Sequence, residues 1–82
     1  MATANGQAVM SFSLGTAGYV VVRIFDLSGR LVRIFAEDHP SGTYGLRWDG
    51  RLGNGRRASR GTYFYKVTLP DGKESVRKTA IR

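Results

Sequence analysis

Apolar residues in this chain recur at every second position, in short runs that glycine, proline or small polar residues interrupt. Ala8, Met10, Phe12 and Leu14 fall on one side of such a run, with Ser11 and Ser13 on the other. Val20, Val22 and Ile24 repeat the pattern with Arg23 pointing away, and Tyr63, Tyr65, Val67 and Leu69 extend it over the longest run. A period of two is that of a pleated strand with one buried face. No window carries sustained helical spacing, so the core has to be built from strands.

Turn signals divide the sequence into expected strands at 7–14, 19–25, 31–35, 43–48, 61–69 and 74–81, with a short seventh around 57–59. Between the second and third lies Asp26-Leu27-Ser28-Gly29 before Arg30. Asp26 can bond backbone amides within that turn, and Gly29 can take the positive φ that a bulged hairpin loop needs. Residues 37–42 read as a polar loop ending at Gly42. Asp49, Gly50, Gly55 and Gly61 punctuate the segment before the long strand. Pro70-Asp71-Gly72-Lys73 is a turn with proline where its fixed φ fits. Six or seven antiparallel strands in a chain this short predict an all-β fold, a two-sheet sandwich of the immunoglobulin or fibronectin III kind. A five-stranded barrel is the structural alternative. Residues 1–6 read as a flexible segment, and 7–82 as one domain. Val20, Val22, Ile24, Trp48, Tyr63, Tyr65 and Val67 are the expected core.

Eighty-two residues without cysteine give a modest core that no disulfide or thiolate metal site can supplement. No stretch reaches the ~20 apolar residues of a membrane-spanning helix. The N-terminal residues lack a basic segment followed by an apolar one, so no export leader is expected within this stretch. Thirteen Lys and Arg against six Asp and Glu give a net charge of +7. Arg51, Arg56, Arg57 and Arg60 lie close together in sequence, near Tyr63, Phe64 and Tyr65, which raises binding to nucleic acid or another polyanion. An alternating strand, however, sends Tyr63 and Tyr65 to one face and Phe64 to the other, so they make no common stacking platform.

The remaining candidates for chemistry are weak. A phosphate loop needs several glycines leading into a helix N-terminus, whereas Asp26–Arg30 has one glycine and leads into a strand. Asp49 and Asn54 supply too few oxygens for calcium, and no acidic residue closes their loop. His39, the only histidine, sits in a proline-containing segment with no nucleophile paired to it by any recognisable spacing. Lys78 shares a face with Val76 and Ala80, as an edge-strand lysine that deters pairing does. The residues point to no enzyme, no cofactor and no metal.

The order of these elements resembles a known family. The stretches VVVRIFDLSGRLVRIF, SGTYGLRWDGRLGNGRRASRGTYFYKV and VRKTAIR, with a Pro-Asp-Gly turn between the last two, are similar to the immunoglobulin-like C-terminal module of many secreted bacterial proteins. That domain type includes the flagellar hook-capping module, and related modules end type IX secretion cargo proteins. Asp26, Gly29, Arg30, Gly42, Trp48, Asp49, Gly50, Gly55, Gly61 and Tyr63 carry the likeness over about residues 8–82. Many members open with an Asn-Pro-rich segment, where this chain has ATANGQ. The resemblance implies a non-enzymatic domain of a larger exported protein, secreted or at the cell surface. It would act through protein partners as a sorting or attachment signal, or as a structural cap.

Overall fold

The computed structural model describes residues 6–82 and contains six strands: β1 (Ala8–Leu14), β2 (Gly18–Phe25), β3 (Leu31–His39), β4 (Gly42–Trp48), β5 (Gly61–Thr68) and β6 (Glu74–Ile81). They form two antiparallel sheets of unequal width, β1-β4 and β3-β2-β5-β6. No helix among the described residues is long and apolar enough to cross a membrane. The architecture is the all-β sandwich that the alternating runs imply.

Its core lies where the narrow sheet covers the middle of the wide one. Ala8, Met10, Phe12 and Leu14 of β1 and Trp48 of β4 meet Val20, Val22 and Ile24 of β2, Tyr63, Tyr65 and Val67 of β5, and Ile81 of β6. Trp48 is fully enclosed and meets Tyr63 edge to face, with ring centres 5.1 Å apart. Its indole N–H donates to the Arg51 carbonyl at 2.9 Å, and Arg33 Nη1 donates to that same oxygen at 2.8 Å. A single backbone carbonyl therefore ties the largest core side chain to β3 of the opposite sheet.

Buried hydroxyls find partners as their burial demands. The Tyr63 hydroxyl donates to the Ser59 carbonyl at 2.6 Å. Tyr65 reaches across the sandwich to β1, where its hydroxyl accepts from Ser11 N–H at 3.2 Å and donates to the Ser11 carbonyl at 3.3 Å. The Thr79 hydroxyl donates to the Val9 carbonyl at 3.0 Å. These contacts occupy the side of β1 turned away from β4.

Two expectations change. The polar loop expected at 37–42 shrinks to Pro40 and Ser41, because Glu37, Asp38 and His39 pair with Val20, Tyr19 and Gly18. Polar composition does not prevent pairing on an edge strand, whose side chains are wet on one or both faces. The short seventh strand at 57–59 is only an isolated bridge between Arg51 and Arg57. As for the flexible segment expected at 1–6, residues 1–5 lie outside the described residues. Gly6 N–H donates to the Arg82 carbonyl at 2.8 Å.

Three turns share one geometry: Asp26–Arg30, Leu52–Arg56 and Leu69–Lys73. In each, the fourth residue is a glycine with φ near +88° whose N–H returns to the first carbonyl, and the first N–H bonds the fifth carbonyl. This is a type I turn closed by a glycine bulge, and only glycine takes that φ without strain. Asp26 Oδ1 accepts from the amides of Ser28 and Arg30 at 2.9 and 3.0 Å, Asn54 accepts from Arg56, and Asp71 from Lys73. Gly42 and Gly61 open β4 and β5, both with positive φ. At Gly50, with φ +77°, an added Cβ would overlap the Gly6 carbonyl oxygen.

Replacing Trp48 by alanine is expected to cost ~3–5 kcal/mol in chemical denaturation, a large share of what so small a domain possesses. A loss below ~1 kcal/mol would show that Trp48 does not anchor the core. The Asp26 turn gives a pH test. The Ser28 hydroxyl and then the Arg30 amide hold the Asp26 carboxyl below its ordinary range. A lowered folded-state pKa contributes stability that is complete above the unfolded value of about 4 and is lost as pH falls through the folded value. The stability gap between wild type and Asp26→Ala should therefore be widest near neutrality and narrow in acid. A gap that keeps its neutral-pH size as the pH falls well below the unfolded value of about 4 would contradict this assignment.

Candidate protein interface

The outer face of the wide sheet is the most unusual surface of the molecule. Register places Leu31, Phe25, Phe64 and Lys78 in one row across β3, β2, β5 and β6. The next row is Ile34, Arg23, Lys66 and Val76, and the third is Ala36, Val21, Thr68 and Glu74. Tyr19 stands beyond the third row, opposite Asp38. Leu27 projects from the tip of the β2–β3 turn.

Among the described residues, the five exposed large hydrophobics are Tyr19, Leu27, Leu31, Ile34 and Val76, between 44% and 69% exposed. All belong to this face or to the turn at its end. Single exposed apolar side chains are ordinary; here Leu31 and Ile34 on β3 and Val76 on β6 share one face, with Arg23 and Lys66 standing between Ile34 and Val76. Cations run through it. Arg23 lies opposite Lys66, two like charges side by side, and Glu74 offsets them with an ion pair to Lys66 at 3.5 Å. Arg23 Nη1 approaches Thr68 Oγ1 at 3.4 Å, and Thr68 donates to Glu74 at 3.2 Å. Lys78, beside Phe64, has no acidic partner among the described residues. The surface is apolar with a positive bias, which suits a protein surface presenting apolar and acidic groups.

A signal for this face exists in the sequence. Tyr19, Val21 and Phe25 are apolar on the phase opposite to Val20, Val22 and Ile24, so β2 is apolar on both sides. Arg23 alone interrupts the apolar residues of the outer phase. The candidates that motifs and charge offer lie instead in loops and in the arginine-rich segment.

The arginine-rich segment lies apart from these rows. Arg51, Arg56, Arg57 and Arg60 are all exposed in the connection between β4 and β5. Arg51 turns its guanidinium back to the Gly55 carbonyl at 3.0 Å, and its amide bonds Asp49 Oδ1 at 3.0 Å. Tyr63 and Tyr65 are inside the sandwich, with Phe64 on the opposite face. No aromatic platform accompanies the arginines.

Other polar groups are likewise absorbed by local structure. Asp49 Oδ1 also accepts from Arg33 Nη1 at 3.3 Å, and the Asn54 oxygen caps its own turn, so neither is held for an ion. Among the described residues, no group of three or more His, Cys, Asp or Glu is placed to hold a metal. His39 packs its ring against Tyr44 and Phe12, centre to centre 4.6 and 5.5 Å, and Nε2 lies 3.3 Å from Glu37.

Comparison with known proteins bears on the fold and the family. The family model of the FlgD Ig-like domain matches residues 1–73. Two solved structures align over nearly the whole chain. FlgD from P. aeruginosa does so with a TM-score of 0.72 at 26% identity, over 92% of this chain and 60% of its own length. FlgD from Xanthomonas campestris, described in connection with the hook capping essential for flagellar assembly, gives 0.73 at 28% identity, over 94% and 58%. This chain thus spans about three fifths of either FlgD. No curated protein matches it. With most of the chain matched and the sandwich shared, the protein belongs to the FlgD Ig-like domain family.

Proposed function

We propose that this domain is a non-enzymatic assembly module of the hook-capping type, part of a larger protein exported from a bacterium, that works by protein–protein contact. The outer face of the β3-β2-β5-β6 sheet is its contact surface. The observation that carries the reading is the gathering of Tyr19, Leu31, Ile34 and Val76 on that one face, with Leu27 at its end. Apolar side chains supply most of the affinity of such a surface, while Arg23, Lys66 and Lys78 select partners that carry carboxylates. Structural capping is placed ahead of a secretion-sorting or surface-attachment role because the family and both solved relatives are FlgD.

The test is binding of the purified domain to the hook protein of its own organism, measured by surface plasmon resonance. Ile34→Asp and Val76→Asp, each on a strand face where a charge is soluble, should weaken binding at least tenfold with the circular dichroism unchanged. Wild-type binding that survives both substitutions would remove the sheet face from the proposal. Absence of binding altogether would remove capping, and a reporter fusion carried to the surface of a type IX-competent host would then favour sorting. Tight, steeply salt-dependent binding to DNA by the same preparation would favour the polyanion reading instead.

A further inference from the structure

The sandwich has four open strand edges, on β1 and β4 of the narrow sheet and on β3 and β6 of the wide one. An open edge offers unpaired backbone groups to another chain, and proteins blunt such edges when pairing is harmful. Three of them are blunted. Tyr65 and Thr79 hydroxyls occupy backbone groups of β1. The β6 edge carries Arg77 and Lys78, which repel a second copy. The β4 edge is interrupted by Gly42 and Gly45 and carries Arg47.

The β3 edge is different. It is the longest strand, nine residues, and holds two of the six acidic residues of this basic chain, Glu37 and Asp38. Its bulge sets Val32 apart from the ladder, since Ile24 pairs with Arg33 and Phe25 with Leu31. The Val32 carbonyl thus faces the open edge, where Gly53 N–H takes it at 2.8 Å. Strand alternation puts the backbone groups of Ile34, Ala36 and Asp38 on that same edge.

We propose that β3 pairs antiparallel with β3 of a second copy of this chain, joining two wide sheets into one continuous sheet. The register is fixed by charge and by Gly53. A two-fold centred on Phe35 sets Ile34 of each copy opposite Ala36 of the other, the pair that exchanges N–H···O bonds. It also sets Arg33 of each copy opposite Glu37 of the other, in the pairing class whose side chains approach most closely. Moving the centre to Ala36 would put Arg33 opposite His39 and Ile34 opposite Asp38, and the ion pairs are lost. Moving it to Ile34 would set Val32, which Gly53 already holds, in the hydrogen-bonded pair next to the centre, whereas the Phe35-centred register reaches Val32 only beyond its Arg33–Glu37 pairs, where the ladder ends. Arg33 lies over the Phe35 ring, 4.6 Å from guanidinium carbon to ring centre, and its Nη1 is held by the Arg51 carbonyl and Asp49, so the central Phe35 pair is flanked by fixed guanidinium groups whose remaining N–H groups are left for Glu37 of the other copy. Leu31 and Ile34, 44% and 48% exposed, lie along the joined edge on the outer face. The area is small, so the dimer belongs to the weak, concentration-dependent class. This inference goes beyond the capping reading and stands without it, because it needs no hook protein.

Sedimentation velocity of the purified domain, run over concentrations rising to millimolar, tests it. Wild type should pass from monomer to dimer. Ala36→Pro removes an edge-facing N–H, a position where an edge strand tolerates proline, and should raise the dissociation constant at least tenfold with unchanged circular dichroism. Glu37→Lys should do the same, and also serves if Ala36→Pro disturbs the fold. Arg33→Glu and Glu37→Lys, each monomeric alone, should form a mixed dimer when combined, because both cross-strand pairs become opposite in sign. A wild-type chain that stays monomeric throughout, or a dimer that survives both Ala36→Pro and Glu37→Lys, would overturn the proposal.

Discussion

The narrow sheet has two strands and must cover a sheet of four. Most other features of the molecule follow from that mismatch. The central strands β2 and β5 receive the cover, and their inward side chains are buried without exception from Val20 to Ile24 and from Tyr63 to Val67. The outer strands do not. On β6, Ser75 and Arg77 lie on the inward phase yet are exposed, and only Thr79 and Ile81 at the far end are drawn in. On β3 the inward phase holds Arg33, Phe35 and Glu37, a mixture suited to a margin that water reaches. Side chains of the wide sheet then make up for the missing cover by reaching the uncovered edge of β1. Tyr65 is long enough to span the layers and carries the hydroxyl that the Ser11 backbone requires, so one residue fills the core and satisfies an edge.

How much of this could be read beforehand depends on what each signal is local to. The strands were legible because burial on one face imposes a period of two on neighbouring residues, as in Ala8, Met10, Phe12 and Leu14. The Asp26–Arg30 turn was legible because an aspartate able to cap amides stands three residues before a glycine able to take positive φ, and the Leu69–Lys73 turn because Pro70 supplies a fixed φ at its second position. Sheet membership was not. Nothing in residues 31–48 states that β3 leaves for one sheet and β4 for the other, since that depends on partners more distant in the chain. The extension of β3 through Glu37 and Asp38 was hidden for a related reason, because both residues are exposed and composition there has no buried face on which to register. The contact face was half visible. Apolar residues on both phases of β2 announce it, but only the register of four strands shows that Leu31, Phe64 and Val76 share the surface.

The charge of +7 also acquires a structural meaning. Acidic residues here are mostly committed to the backbone or to neighbours: Asp26, Asp49 and Asp71 accept amides in turns, and Glu74 offsets Lys66. Of the basic residues, Arg33 ties β3 to the Arg51 carbonyl that Trp48 also holds, and Arg23, Arg30, Arg51, Lys66 and Lys73 have local partners, but most basic side chains end in solvent. The excess is therefore largely a property of the surface. At long range it repels other copies and attracts acidic partners, within about a Debye length at physiological salt. Close contact has to overcome that field locally, either by bringing carboxylates or by burying apolar area. The outer face offers apolar area but keeps Arg23, Lys66 and Lys78 beside it, so it favours acidic partners, while the acidic end of β3 is where the field of the chain is locally reversed.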